Sequence, residues 1–140
     1  MLKNKKLTKF WLPVLLWAGL IFTLSSIPTV TTTKFYLWDF IFKKSAHFVE
    51  YAILSTLLYR ALINSKVKSK KAMWLSVLIS FLYAVSDEYH QSFVPGRGPA
   101  FRDVLIDTIG ASFALFGIIE NIKNMPKVIR DFYTKYQIVK

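Results

Sequence analysis

From Phe10 to Thr33 the chain carries no charged side chain, and Lys9 and Lys34 bound this stretch. As a helix it is long enough to cross a hydrocarbon core of about 30 Å. A secretory signal peptide is the competing reading, because Lys3, Lys5 and Lys6 precede an apolar run ending in Ser25-Ser26. The run is long for the apolar region of a signal and shows no clear small-x-small cleavage site. An uncleaved first helix is therefore expected.

Three further apolar segments follow, each interrupted by ionisable residues. The second, from about Ser45 to Leu62, contains His47 and Glu50 and ends near Arg60. The third follows Lys70-Lys71 and reads MWLSVLISFLYAVS before meeting Asp87 and Glu88. The fourth starts near Asp103, passes Asp107 and continues as TIGASFALFGII to Glu120. No stretch alternates with period two, which argues against a β-barrel. Pro28, Pro95, Gly96, Gly98 and Pro99 mark the expected outer turns. The sequence thus predicts an all-α, integral membrane four-helix bundle with helices over about 10–30, 44–62, 72–91 and 103–122. Residues 1–122 form the transmembrane domain, and 123–140 form a basic cytoplasmic tail that mixes aromatic and cationic residues along the inner surface. A composition that is 54% hydrophobic in 140 residues is too apolar for a small soluble domain. With no cysteine, disulfides and thiolate metal sites are excluded.

The formal charge of +11 suggests nucleic acid only until its distribution is read. Lys and Arg fall in blocks between uncharged stretches, as expected of residues that orient membrane helices and touch anionic headgroups. With the amino terminus in the cytoplasm, the amino end, the loop from Arg60 to Lys71 and the tail place 14 of the 19 basic residues inside. The positive-inside rule therefore puts both termini in the cytoplasm of a multi-pass cell-membrane protein. The acids run the other way: Asp39, Glu50, Asp87, Glu88, Asp103 and Asp107 lie toward the outer side. Counting helix rise places Asp87 and Asp107 roughly 6 Å, and His47 and Glu50 roughly 9–13 Å, below the outer interface. Charges at such depth are costly unless paired or hydrated, so they point to a functional site.

His47, Glu50 and Tyr51 share one helical face at i, i+3 and i+4. Asp87 shares a face with His90 and Gln91, Glu88 faces Gln91, and Ser86 faces His90. The next loop adds Arg97 and Arg102. Asp103, Asp107, Gly110, Ala114 and Gly117 follow a stripe whose small residues allow close helix approach. His47 with Glu50 reads as a metal pair, an acid/base pair or an interhelical polar lock; the zincin pattern is absent. The carboxylates with Arg97 and Arg102 suit a divalent cation such as Mg²⁺ bridging a phosphate, and equally a structural salt-bridge network. A Ser86 nucleophile with His90 as base is disfavoured by helical geometry. Trp11, Trp17, Trp38 and Trp74 read as interfacial anchors or packing.

Two blocks, KKSAHFVEYAILS from Lys43 and SDEYHQSFVPGRGPAFRDVLIDTIGA from Ser86, carry a resemblance to the VanZ-like family of bacterial membrane proteins. That family takes its name from an accessory protein of glycopeptide (teicoplanin) resistance. The resemblance carries over His47, Glu50, Tyr51, Ser86, Asp87, Glu88, Gln91, Pro95, Arg97, Asp103, Asp107 and Gly110. With His90 and Arg102 added from the helix faces and the loop, the expected site has His47, Glu50, Asp87, Glu88, Gln91 and Asp103 carrying any chemistry, and Tyr51, Ser86, His90, Arg97, Arg102 and Asp107 binding substrate. Asp107 stands where many relatives carry asparagine, and Gly98-Pro99 follow Arg97 where serine is common. The expected function is action at the outer membrane face on a phosphorylated envelope lipid or lipid-linked precursor, as a lipid-phosphate transferase or hydrolase. A non-catalytic binding or assembly factor for a membrane or cell-wall partner, or a homo-oligomer, stays open beside it. Nucleic acid is not an expected partner.

Overall fold

Helix ends in this chain fall where the backbone runs out of compatible residues, not where apolarity stops. The computed structural model describes residues 2–28, 36–98 and 100–138. Five α-helices occur among the described residues: α1 (Leu2–Ser25), α2 (Tyr36–Asn64), α3 (Ser69–Gln91), α4 (Phe101–Ser112) and α5 (Lys127–Lys135). No strand occurs among them. Thr33, Lys34, Pro99 and Lys140, which the sequence reading used, lie outside the described residues.

The first four helices cover the expected segments with shifted bounds. Helix α1 starts in the basic amino end and stops at Ser25, short of Pro28. Helix α2 begins at Tyr36, so Lys43 and Lys44 sit inside it and not ahead of it. Lysine is a good helix former, and an apolar run marks a charge-free interval, not a helix end. At the far end of α2, Lys66 takes a left-handed φ of 70° while the Val67 amide reaches back 3.1 Å to the Leu62 carbonyl. That is a Schellman-type stop with a residue other than glycine. Helix α4 passes at Phe113 into a π-helical segment (Phe113–Ile119), where the Glu120 amide bonds the Leu115 carbonyl at 3.2 Å. A short 3₁₀ turn (Ile122–Asn124) and Pro126 then lead into α5.

Helix α2 is the common neighbour, packing on α1, α3 and α4, and α3 also packs on α4. One core cluster gathers Phe10, Val14 and Ile21 of α1 with Tyr51, Leu54 and Leu58 of α2. A second joins Tyr59, Leu62 and Ile63 to Met73, Leu115 and Ile119. The small-residue stripe on α4 does what its composition suggests at one point in particular. A Cβ added to Gly110 would lie 3.0 Å from the Phe48 carbonyl carbon and nearer still to its oxygen. The α2 and α4 backbones therefore touch there.

The tail is a defined element. Val128, Ile129 and Phe132 form one exposed apolar face of α5, with Lys127 and Arg130 on the other. Its end is tied down where Asn64 Nδ2 donates to the Gln137 carbonyl at 3.1 Å and Lys9 Nζ to Gln137 Oε1 at 3.3 Å.

Beside the apolar core, polar groups are buried and large apolar side chains are exposed. Ser25, Ser55, Ser76, Ser80, Asp87, Glu88, Gln91, Asp103 and Asp107 are buried. Large apolar side chains face outward on all four long helices, among them Leu15 (66% exposed), Phe42 (78%), Leu82 (56%) and Ile109 (59%). By length and composition alone, the segment Thr8–Ser25 of α1 is the one candidate membrane span among the described residues. The ionisable residues of α2 and α3 lower those helices on the same scale, and α4, with 12 residues, is too short for it.

Gly110→Ala is expected to lower unfolding stability by about 1–3 kcal/mol, the usual cost of overpacking. Gly19→Ala, where nothing lies within 4 Å of the new carbon, is expected to be neutral or stabilising. Thermal unfolding of both variants in detergent checks the pair.

Candidate functional site

Three helix ends and one helix interior meet at the site. Helices α1 and α3 finish there, α4 begins there, and the first half of α2 crosses it. Asp87, on α3, is the hub. Its Oδ2 accepts from Ser25 Oγ at 2.8 Å and from Gln91 Nε2 at 2.8 Å, one turn further along α3. Gln91 also reaches Ser25 Oγ at 3.3 Å. The loop after α3 then doubles back, with Gly96 at φ 77° supplying a left-handed turn that a side chain would strain. This brings Arg97 over the end of α1. Its Nη2 donates to the Leu24 carbonyl at 2.8 Å, Nε to the Ile27 carbonyl at 3.3 Å and Nη1 to Gln91 Oε1 at 3.3 Å. A guanidinium on the last carbonyls of a helix satisfies orphan acceptors and opposes the dipole.

A second set joins α2 to α4. Lys44 forms an ion pair with Asp103, and Arg102 Nε lies 3.7 Å from the other Asp103 oxygen. One turn deeper, His47 Nδ1 stands 3.5 Å from Oδ1 of Asp107, whose side chain is fully buried. Glu88 belongs to neither set: its Oε2 accepts the Ala100 amide at 2.9 Å and so fixes the start of α4. Trp17 Nε1 donates to the Glu50 carbonyl at 2.9 Å, and the Tyr83 hydroxyl to the Ala18 carbonyl at 2.7 Å, holding α1 against both neighbours.

Several buried polar atoms in this region have no hydrogen-bond partner: His47 Nδ1, the Tyr51 hydroxyl, Asp87 Oδ1 and both oxygens of Asp107. Such atoms are costly in an apolar interior unless something polar meets them. Five carboxylates (Glu50, Asp87, Glu88, Asp103, Asp107) stand against three fixed cations (Lys44, Arg97, Arg102), so the field at the site is net negative when all are ionised. Among the described residues no group of three or more His, Asp or Glu is gathered to hold a metal ion.

Ten of the twelve expected site residues thus lie along this cluster, with Arg102 at its exposed edge. Ser86 and His90 stand apart. Ser86 is exposed and donates to the Tyr83 carbonyl at 2.7 Å. His90 Nε2 sits 3.0 Å from Ser26 Oγ, and its ring packs on Phe22 with centroids 4.3 Å apart. The two face different partners and do not form a nucleophile–base pair. Ser25, Ser26, Lys44 and Trp17 were not expected at the site. Ser25-Ser26 looked like the end of an apolar run and Lys43-Lys44 like a boundary. The helical position of Lys44, one turn before His47, was the signal available for it.

Arg97→Ala is expected to destabilise the fold by about 1.5–3 kcal/mol, the scale of charge-assisted hydrogen bonds. It should also speed amide exchange in the last turn of α1 around Leu24–Ile27, and Arg97→Lys should restore little of either, because a lysine lacks the planar fork. Hydrogen exchange with mass spectrometry reads both effects.

With this geometry in hand, the comparisons with known proteins are informative. The VanZ/LLP1 family model matches residues 10–122, which include every residue of the cluster. No curated protein and no solved structure matches the chain. On a match spanning most of its length, the chain belongs to the VanZ-like family.

Proposed function

We propose that the protein crosses the cell membrane with α1 to α4 and keeps both termini in the cytoplasm. Its polar cluster would then form an outer-facing pocket for the head of a phosphorylated envelope lipid or lipid-linked precursor. The observation that carries this reading is the set of unpartnered polar atoms on His47, Tyr51, Asp87 and Asp107, enclosed by helices whose outer surfaces are apolar. Apolar faces of that extent suit lipid contact, and intramembrane acids and histidine suit a binding or proton-handling site. The basic blocks at the opposite end of the helices support the orientation. Family membership supports a link to glycopeptide resistance.

The field constrains how such a head would sit. An excess of carboxylates favours the amino-bearing part of a precursor, while a phosphate is drawn to Lys44 and Arg102 toward the exposed edge. Arg97 is a poor candidate for a phosphate clamp, because three of its donors already hold α1 and Gln91. Catalysis rests on His47 and Asp107. A buried carboxylate beside one ring nitrogen orients an imidazole for proton transfer at the other. The transferase or hydrolase form of the proposal stands on that pair alone. The non-catalytic form, a binding or assembly factor for a membrane or cell-wall partner, is favoured by the committed donors of Arg97.

Two measurements test this. In a chain with no native cysteine, Ser92→Cys should react with an impermeant maleimide in intact cells, and Lys68→Cys only after permeabilisation. The reverse pattern contradicts the orientation. For function, purified protein is assayed for polyprenyl-phosphate binding and turnover. His47→Ala is expected to lower any turnover by about 10²-fold or more while binding persists. Equal turnover in wild type and variant removes the catalytic form. Binding unchanged in Asp107→Ala and Lys44→Ala together removes the pocket.

A further inference from the structure

At the end of the molecule opposite the polar cluster, a cleft of about 640 Å³ opens between α3 and the π-helical segment. Its walls are Met73 and Trp74 of α3 and Phe116 and Ile119 of the π segment, with Lys70 and Lys123 beside them. We propose that this cleft is a binding site for one anionic phospholipid of the cytoplasmic leaflet, its phosphate between Lys70 and Lys123 and an acyl chain along the apolar wall.

The local chemistry argues for each part. A π-helical turn carries extra residues per turn, so the backbone of 113–119 bulges and displaces Phe116 and Ile119 from a regular α-helical path; such bulges are often retained at functional sites. The bulge is held by Asn121, whose Nδ2 donates to the Phe116 and Gly117 carbonyls at 3.3 and 3.2 Å. Trp74 and Phe116 pack with ring centroids 5.1 Å apart and form a continuous aromatic wall. At the polar end, the Tyr59 hydroxyl and Ser69 Oγ bond each other at 2.8 Å. Among the described residues neither Lys70 nor Lys123 is in an ion pair. Glu120 is the one acid of the lining, so the fixed charge of the cleft is net positive. Its size falls in the range of small-molecule pockets, about 300–1,000 Å³. An apolar wall ending in two ammonium groups fits an amphiphile with an anionic head. A zwitterionic lipid would set its own ammonium against those lysines. The inference rests on the orientation proposed above and is independent of the chemistry at the outer pocket.

Trp74 provides the readout. Full-length protein is reconstituted in phosphatidylcholine vesicles containing a minor fraction of acyl-brominated lipid, as either phosphatidylglycerol or phosphatidylcholine. Quenching by bromine is measured for wild type and Trp74→Phe, and the difference isolates Trp74. Stronger quenching of Trp74 by the glycerol lipid is expected, with a preference of roughly fivefold per lysine that disappears in Lys70→Gln/Lys123→Gln. Both lysines are exposed, so the double variant should fold as wild type does. Equal quenching by the two headgroups, or a preference that survives the double variant, overturns the proposal. If neither brominated lipid quenches Trp74, the membrane placement of α3 fails with it.

Discussion

A buried carboxylate has to find donors, and in this protein Asp87 finds one on its own helix and one on another. Ser25 at the end of α1 and Gln91 on α3 share one oxygen of Asp87, and Arg97 ties Gln91 back to the last carbonyls of α1. This arrangement sets the relative height of α1 and α3, because a shift of one residue along either helix would rotate Ser25 or Asp87 away by about 100°. Removing one partner of such a set costs more than the set itself contributes, since the other charge is then left buried and unpaired. The Lys44–Asp103 pair has the same role between α2 and α4, with contact of the Gly110 and Phe48 backbones close by. Position along the helices is thus fixed by polar contacts at one end, and distance between them by small residues and apolar packing.

The same contacts place polar groups in the interior beside the two apolar clusters. Apolar packing and interhelical polar contacts together hold the helices to one another. Serines serve this role along the whole length: Ser55 reaches the Ala111 carbonyl, and Trp11 reaches Ser65 near the basic end. The acids of the cluster are only half explained by structural pairing. Asp87 uses one oxygen and Asp103 is matched by Lys44, but Asp107 is buried with both oxygens unpartnered and His47 at 3.5 Å. That surplus of polar capacity is what the proposed pocket rests on.

Much of this was legible in the residues. Four apolar segments, the i, i+3, i+4 spacing of His47, Glu50 and Tyr51, and the stripe through Asp103, Asp107 and Gly110 carried the helices and the meeting of their acids. The start of α2 at Tyr36 was not legible, because charge-free runs were used as a proxy for helix length. Nor was the conversion of α4 to a π-helix at Phe113, since its residues have no distinctive propensity and the change arises from packing on α2 and α3. Arg97, expected to bind substrate, is also the residue that ties the loop after α3 to the end of α1. Whether a guanidinium faces a ligand or a helix end depends on the left-handed turn at Gly96, whose direction no spacing rule supplies.

The central claim is that α1 with α3, and α2 with α4, place their polar residues in contact within the lipid bilayer. Cysteine pairs in native membranes test it directly, with a short bifunctional methanethiosulfonate as linker. Ser25→Cys with Gln91→Cys, and Lys44→Cys with Asp103→Cys, are predicted to cross-link within one chain, while Lys44→Cys with Lys71→Cys is not. Failure of both contact pairs, in protein that remains in the membrane fraction, would contradict the account.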